Sequence, residues 1–347
     1  LEEAEERYRD ALSRTEALLG PDHPDLAEAR GELGALLVEQ NRWGEAAEEL
    51  QVALALAVRL LGERHPLVGV IRSNLAAALE GLEELPRARA ELVESLSIGE
   101  ERLPPGHRSL WLRHRKLRRI LRDLGDRADA REHAAQAARL SEEVLGAAHP
   151  EHAADLLTLA ELLAEEGQME GAAAALEEAV SVFRGAGPEH LPQLAAARRG
   201  LGAAKASLGV PGQALVALRS ALEDYVGMED EDGAVDVRAE LADLLVALGE
   251  EEAQTLEALG RPEEAEAARR QAADRRLTVL SDLVAEAGPG ECFTIARATR
   301  EGVPEVARLA LVKAGEFAAE EEEPETADWA ALAVGLAWQS YAGARQI

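Results

Sequence analysis

Histidine is the side chain that most often holds zinc or copper, and three histidines recur in phase along this chain. His23, His65 and His149 each stand three residues after a triplet, Leu18-Leu19-Gly20, Leu60-Leu61-Gly62 or Val144-Leu145-Gly146. Ligands of one zinc must all lie about 2 Å from the ion. Equivalent residues of stacked repeats are at least a helix-packing distance apart, about 8–10 Å, so these three cannot converge on a metal. Each precedes a proline, Pro24, Pro66 or Pro150, and proline suits the first turn of a helix. The expected role is a structural joint, with no metal. His149 and His152 could share one helix face, but two ligands without a nearby cysteine do not make a site.

Other chemistry finds equally little. Cys292 is the only cysteine and has no local nucleophile signature; Gly288-Pro289-Gly290 reads as a helix stop rather than a phosphate loop. Acidic pairs are so common that a solvated helix face accounts for them. The expectation is a chain that is no enzyme and takes no cofactor. One segment does stand out: Arg108, Arg113, Arg115, Lys116, Arg118, Arg119 and Arg122 lie in a stretch without a single acid. Leu110, Leu117, Leu121 and Leu124 supply the apolar stripe of a helix there, which leaves cations on its other faces.

The basic stretch is set in a chain of net charge -29, whose overall field repels phosphate backbones and anionic lipid. Nucleic acid and membrane are therefore not expected partners. RNA binding would rest on Trp111 beside the arginines alone. The longest apolar stretch near the end, Trp329 to Trp338, is far too short to span a bilayer. One cysteine cannot form an internal disulfide, and no basic-then-apolar leader precedes the pattern, so the expected compartment is the cytoplasm. Hydrophobic residues make up 47% of the chain but aromatics only 3%, a mixture rich in alanine and leucine that favours helix over strand.

What must position these groups is a 42-residue period. From Leu18 it divides the chain into 18–59, 60–101, 102–143, 144–185 and 186–227 without a gap. In the first unit Leu26, Arg30, Leu33, Gly34 and Leu37 recur at helical spacing. Asn41-Arg42-Trp43-Gly44 then interrupts, and Ala46, Leu50, Ala53, Leu54 and Ala57 resume. Gly34, Ala76, Ala160 and Gly202 stand in phase, twelve residues before Ala46, Ala88, Ala172 and Ala214, as two closely packed helices require. Arg118 breaks the pattern by filling a small-residue position; either the third repeat packs more loosely, or Arg118 reaches a buried or inter-repeat carboxylate.

The pattern resembles the tetratricopeptide repeat, and its Leu-Gly-x-x-His-Pro joint is similar to that of kinesin light chains and their bacterial relatives. The resemblance implies an all-α fold, a right-handed superhelical solenoid of antiparallel helix pairs with divergent C-terminal helices, that binds proteins or peptides without catalysis. It also implies that first helices line a concave groove. The ligand-contact positions then fall in the third repeat on Arg115, Lys116, Arg119 and Arg122. Asn74 matches an asparagine often seen in ligand-holding repeats, and Arg199 is the fifth-position residue two repeats onward. The expected ligand is an acidic segment of a protein or peptide, or of another domain of the same parent protein, gripped by arginine forks. Against it stands a basic helix simply neutralised by Glu83, Glu84, Glu161, Glu165 and Glu166.

Two breaks frame the array. Residues 1–17 match the second helix of a truncated preceding repeat, which points to a larger parent. After 227 the turn signal Leu259-Gly260-Arg261-Pro262 arrives eleven residues late. Residues 228–287 therefore read as a divergent repeat with extended helices, and 288–347 as a C-terminal helical cap. Two further functions remain open: the regulatory or sensor arm of a multidomain kinase, nucleotide-switched ATPase or caspase-like protease, and an adaptor that self-assembles through Trp329, Trp338 and Tyr341.

Overall fold

Helix starts return on a fixed count because the same local signals return. In the computed structural model, α1 (Glu2–Leu19) is followed by α2 (Pro24–Glu39), α3 (Trp43–Leu61), α4 (Pro66–Gly81), α5 (Leu85–Arg102), α6 (Arg108–Asp123), α7 (Arg127–Leu145), α8 (Pro150–Glu165) and α9 (Met169–Gly185). A single 3₁₀ turn at Pro188–His190 leads into α10 (Leu191–Ser207) and α11 (Pro211–Gly227), and α12 spans Pro262–Glu286. The structure describes residues 2–228, individual positions between 230 and 254, and 262–286. The positions described from Gly233 to Gln254 are helical. Cys292, the expected cap over 288–347, its aromatics Trp329, Trp338 and Tyr341, and the turn Leu259-Gly260-Arg261 lie outside the described residues.

The conspicuous histidines are helix caps. The Nδ1 of His23, His65 and His149 accepts the backbone N–H of Asp25, Leu67 and Glu151 at 3.3, 3.2 and 3.1 Å. His107 does the same for Ser109 at 3.1 Å, completing a set of four at 42-residue intervals. Each cap satisfies one of the N–H groups that the first turn of a helix leaves orphaned. Replacing His65 with alanine is expected to cost about 0.5–2 kcal/mol, whereas asparagine, which also caps well, retains most of it. Urea unfolding of the two variants measures the difference.

The turn inside each repeat carries its own recurring device. Asn41, Glu83, Gly125, Gly167 and Gly209 all have positive φ, between 59° and 82°, so one left-handed residue reverses the chain at the same place in every copy. Behind it the paired helices close tightly. A Cβ on Gly34 would come within 2.4 Å of the Leu50 side chain, and one on Gly202 within 2.5 Å of Leu218. Ala46, Ala76, Ala88, Ala160, Ala172 and Ala214 are all buried. These are the small-on-small contacts that the period requires.

The first compact unit ends at Val182 and the second begins at Phe183. In the first, an apolar cluster runs through successive helices from Leu12 to Leu162. In the second, Ala195, Leu218, Tyr225, Val237 and Leu241 belong to a separate cluster. Both are layers of helices with no strand among the described residues.

Candidate functional site

Helix α6 is the basic stretch, and its cations divide according to the face on which the 3.6-residue pitch places them. Leu110, Trp111, Leu117, Ile120 and Leu121 are buried. Arg113 and His114 turn inward with them. The Arg113 guanidinium donates to the Ser95 carbonyl at 2.8 Å, in space left by two glycines: a Cβ on Gly99 would lie 2.1 Å from it and one on Gly69 3.4 Å. Burial pushes its pKa down.

The second group is bound to the fourth repeat through one residue. Asp155, on α8, is completely buried. Its carboxylate accepts the indole N–H of Trp111 at 2.6 Å and a guanidinium N–H of Arg118 at 3.2 Å, and lies 3.2 Å from Arg115 Nε. Arg118 therefore takes the second of its two alternatives, a buried carboxylate of the neighbouring repeat. Arg115 also donates to Glu151 at 2.5 Å and stacks over the Trp111 ring with its guanidinium carbon 5.1 Å from the centroid.

The third group faces the second repeat and solvent. Arg119 places both arms of its fork on Glu80 of α4, at 2.5 and 2.6 Å, while 59% of its side chain remains exposed. The hydrogen bond with Glu80 raises its pKa despite partial burial. Arg122, 52% exposed, lies 3.7 Å from Glu161. Burial raises the Glu161 carboxyl, with Arg122 and Arg118 pulling the other way. Lys116 donates to the Ser73 hydroxyl at 3.3 Å; burial, then Arg119, lowers the pKa of its amine. Asn74, the next residue on α4, is half-buried and its side chain makes no hydrogen bond to the described residues. Val70 and Leu112, one turn before Asn74 and Lys116, are exposed.

Five of the six expected site residues thus lie on α4 and α6 of the first unit. Arg199 belongs to the second, where it binds Glu240 at 2.8 Å and Asp236 at 3.0 Å. Of the carboxylates expected to neutralise α6, Glu161 does approach it. Glu165 and Glu166 instead meet Arg127 and Arg131 of α7, at 3.5 and 2.8 Å, and Glu84 meets Arg87. The acids that hold the α6 arginines, Glu80, Glu151 and Asp155, were not among the expected set. Only Asp155 left a trace in the sequence: an acid in phase with Ile71, on the buried side of a first helix.

One other cluster invites a chemical interpretation. Ser141 Oγ lies 3.0 Å from His152 Nδ1, whose Nε2 is 3.4 Å from Glu178. That is the order of a hydrolytic triad, but Ser141 is completely buried and its hydroxyl donates to the Ala138 carbonyl at 2.9 Å. An oxygen so placed tethers a helix and offers no attack to a substrate. Among the described residues no three histidine, cysteine, aspartate or glutamate side chains converge as metal ligands would. No described helix is long and apolar enough to cross a membrane.

Residues 1–57 and 115–185 match the family model of the tetratricopeptide repeat. No curated protein sequence matches the chain. Among solved structures, a kinesin light chain from Podosopora anserina with nearly identical TPR-like repeats is 22% identical, with a TM-score of 0.50 over 59% of this chain and 98% of its own. BtubC from P. vanneervenii is 18% identical, with a TM-score of 0.53 over 65% and 90%. A signal-transduction ATPase with a tetratricopeptide repeat sensor, from Pyrococcus horikoshii, is 14% identical, with a TM-score of 0.50 over 96% of this chain and 44% of its own. At these identities the likeness is one of fold.

Proposed function

We propose that this chain, built of tetratricopeptide repeats, is a non-catalytic module that binds a protein or peptide along the face formed by α4 and α6. The basic helix of the third repeat recognises an acidic segment there. The observation that carries the proposal is the exposed fork of Arg119 on Glu80. It is already spread in the bidentate geometry that a ligand carboxylate would use, and Arg122 stands one turn further along the helix. The amide of Asn74 offers a donor and an acceptor to an extended peptide backbone, and Val70 and Leu112 offer apolar contact beside it. Stacked helices hold this surface ready, which lowers the entropy cost of capturing an extended ligand. The proposed setting is the cytoplasm.

The test is affinity capture with the wild-type chain and an Arg119→Glu, Arg122→Glu variant, which reverses the two exposed cations and spares the Arg115–Asp155 contact, with bound proteins quantified by mass spectrometry. Partners of this face are expected to fall at least about tenfold, since bonds to charged groups contribute about 1.5–3 kcal/mol each. Equal recovery by both chains would remove the basic helix from the account. A second proposal keeps the same fold but makes the chain the sensor arm of a multidomain enzyme. The Pyrococcus horikoshii protein supports it as an example of a tetratricopeptide repeat sensor within a signal-transduction ATPase. The acidic segment would then belong to a neighbouring domain, and capture by the isolated chain would need that domain supplied in trans.

A further inference from the structure

The third repeat differs from its neighbours in how its two helices are fastened. In the first repeat Arg30 donates to Glu49 at 2.6 Å, and in the second Arg72 binds Glu91, each pair joining the first helix to the second across nineteen residues. The equivalent positions of the third repeat, 42 residues on, are His114 and His133. Their Nδ1 atoms lie 2.9 Å apart and their ring centroids 5.1 Å. In the fourth repeat the same positions are Leu156 and Ala175, which cannot pair at all.

We propose that the His114–His133 pair is a proton-responsive fastening whose hold of α6 on α7 weakens as pH falls. Two imidazoles whose Nδ1 atoms face each other need one to donate and the other to accept. A second proton removes the acceptor and sets two cations against each other at that distance. The charges around the pair are Arg89 and Glu100 on α5 and Asp129, Glu132 and Arg139 on α7. The three acids favour protonation of His133, but burial outweighs them and lowers its pKa. Burial, then His133 and Arg139, lower that of His114 to about 4. An unfolded histidine titrates near 6.5, so between about pH 6.5 and 4 the unfolded chain binds protons that the folded pair refuses. The contribution of the pair is therefore complete above 6.5 and is lost as pH falls toward 4. His114 is on the buried side of α6, the helix that carries Arg115, Lys116 and Arg119, so what acid loosens is the support of that basic face.

The other repeats supply the controls. His114→Arg with His133→Glu installs the pair used by repeats one and two; His114→Leu with His133→Ala installs the residues of repeat four. Neither replacement titrates between pH 7.5 and 5. Thermal unfolding of the full chain at those two pH values should show a larger acid-induced fall in midpoint for the wild type than for either variant, by about 5 °C. If every variant that folds falls as far as the wild type, the pair is not the responsive element. Histidine side-chain NMR of the unaltered chain decides independently of any variant. His114 is expected to stay neutral at pH 5, and titration near 6.5 would overturn the proposal.

Discussion

Asp155→Ala is expected to destabilise the first unit by about 3–5 kcal/mol, the range for removing one partner of a buried ion pair. The carboxylate is fully buried and serves the Trp111 indole and the Arg118 guanidinium together, with Arg115 beside it. Alanine would leave a largely buried cation and an indole N–H without their acceptor, and both groups belong to the helix that bears the candidate site. Asp155→Asn separates the two roles: an amide oxygen can still accept from Trp111 but carries no charge for Arg118. It should therefore lose less than alanine. Urea unfolding of the three chains, followed by circular dichroism, measures the order. A loss of less than about 1 kcal/mol for the alanine variant would mean that water replaces the carboxylate and the interface is not dry.

Glu80→Gln is expected to raise affinity for an acidic ligand by about threefold to tenfold, with tenfold corresponding to about 1.4 kcal/mol. Glu80 occupies both arms of Arg119 and places a negative charge where a ligand carboxylate would sit. Glutamine keeps the size and one acceptor but removes the charge, so the ligand no longer competes with an ion. Arg119 is exposed, so screening by water keeps the gain modest and the change in stability small. Isothermal titration with a peptide from a captured partner checks it. A weaker affinity would show that Glu80 positions the fork for the ligand and does not block it.

How far the sequence discloses this molecule follows from the range of each interaction. Proline after the histidine caps, glycine at the left-handed stops and small residues at the helix crossing act within a few positions, so the 42-residue period carries the helix boundaries with it. His107 escapes the sequence marker because Pro104-Pro105-Gly106 replaces the usual Leu-Gly joint and no proline follows; its cap is nevertheless the same. The basic face of α6 is legible for a similar reason, since the helical pitch alone sorts its side chains into buried and exposed. The partners of those side chains are another matter. Arg118 announces itself by filling a small-residue position, yet which carboxylate it reaches depends on the stacking of repeats, and acids are too numerous for composition to select Asp155. The His114–His133 pair is hidden by nineteen residues of separation. It emerges only when the Arg30–Glu49 and Arg72–Glu91 bridges show what the position is for.

The central claim is that the exposed cations of α6 grip an acidic segment. It is tested most directly by the affinity of one partner peptide, at low salt, for the wild type, Glu80→Gln and Arg119→Glu, Arg122→Glu chains. The account predicts tightest binding to Glu80→Gln, intermediate to the wild type, and weakest to the double charge reversal, with the differences shrinking as salt is raised. Equal affinity for all three chains would contradict it.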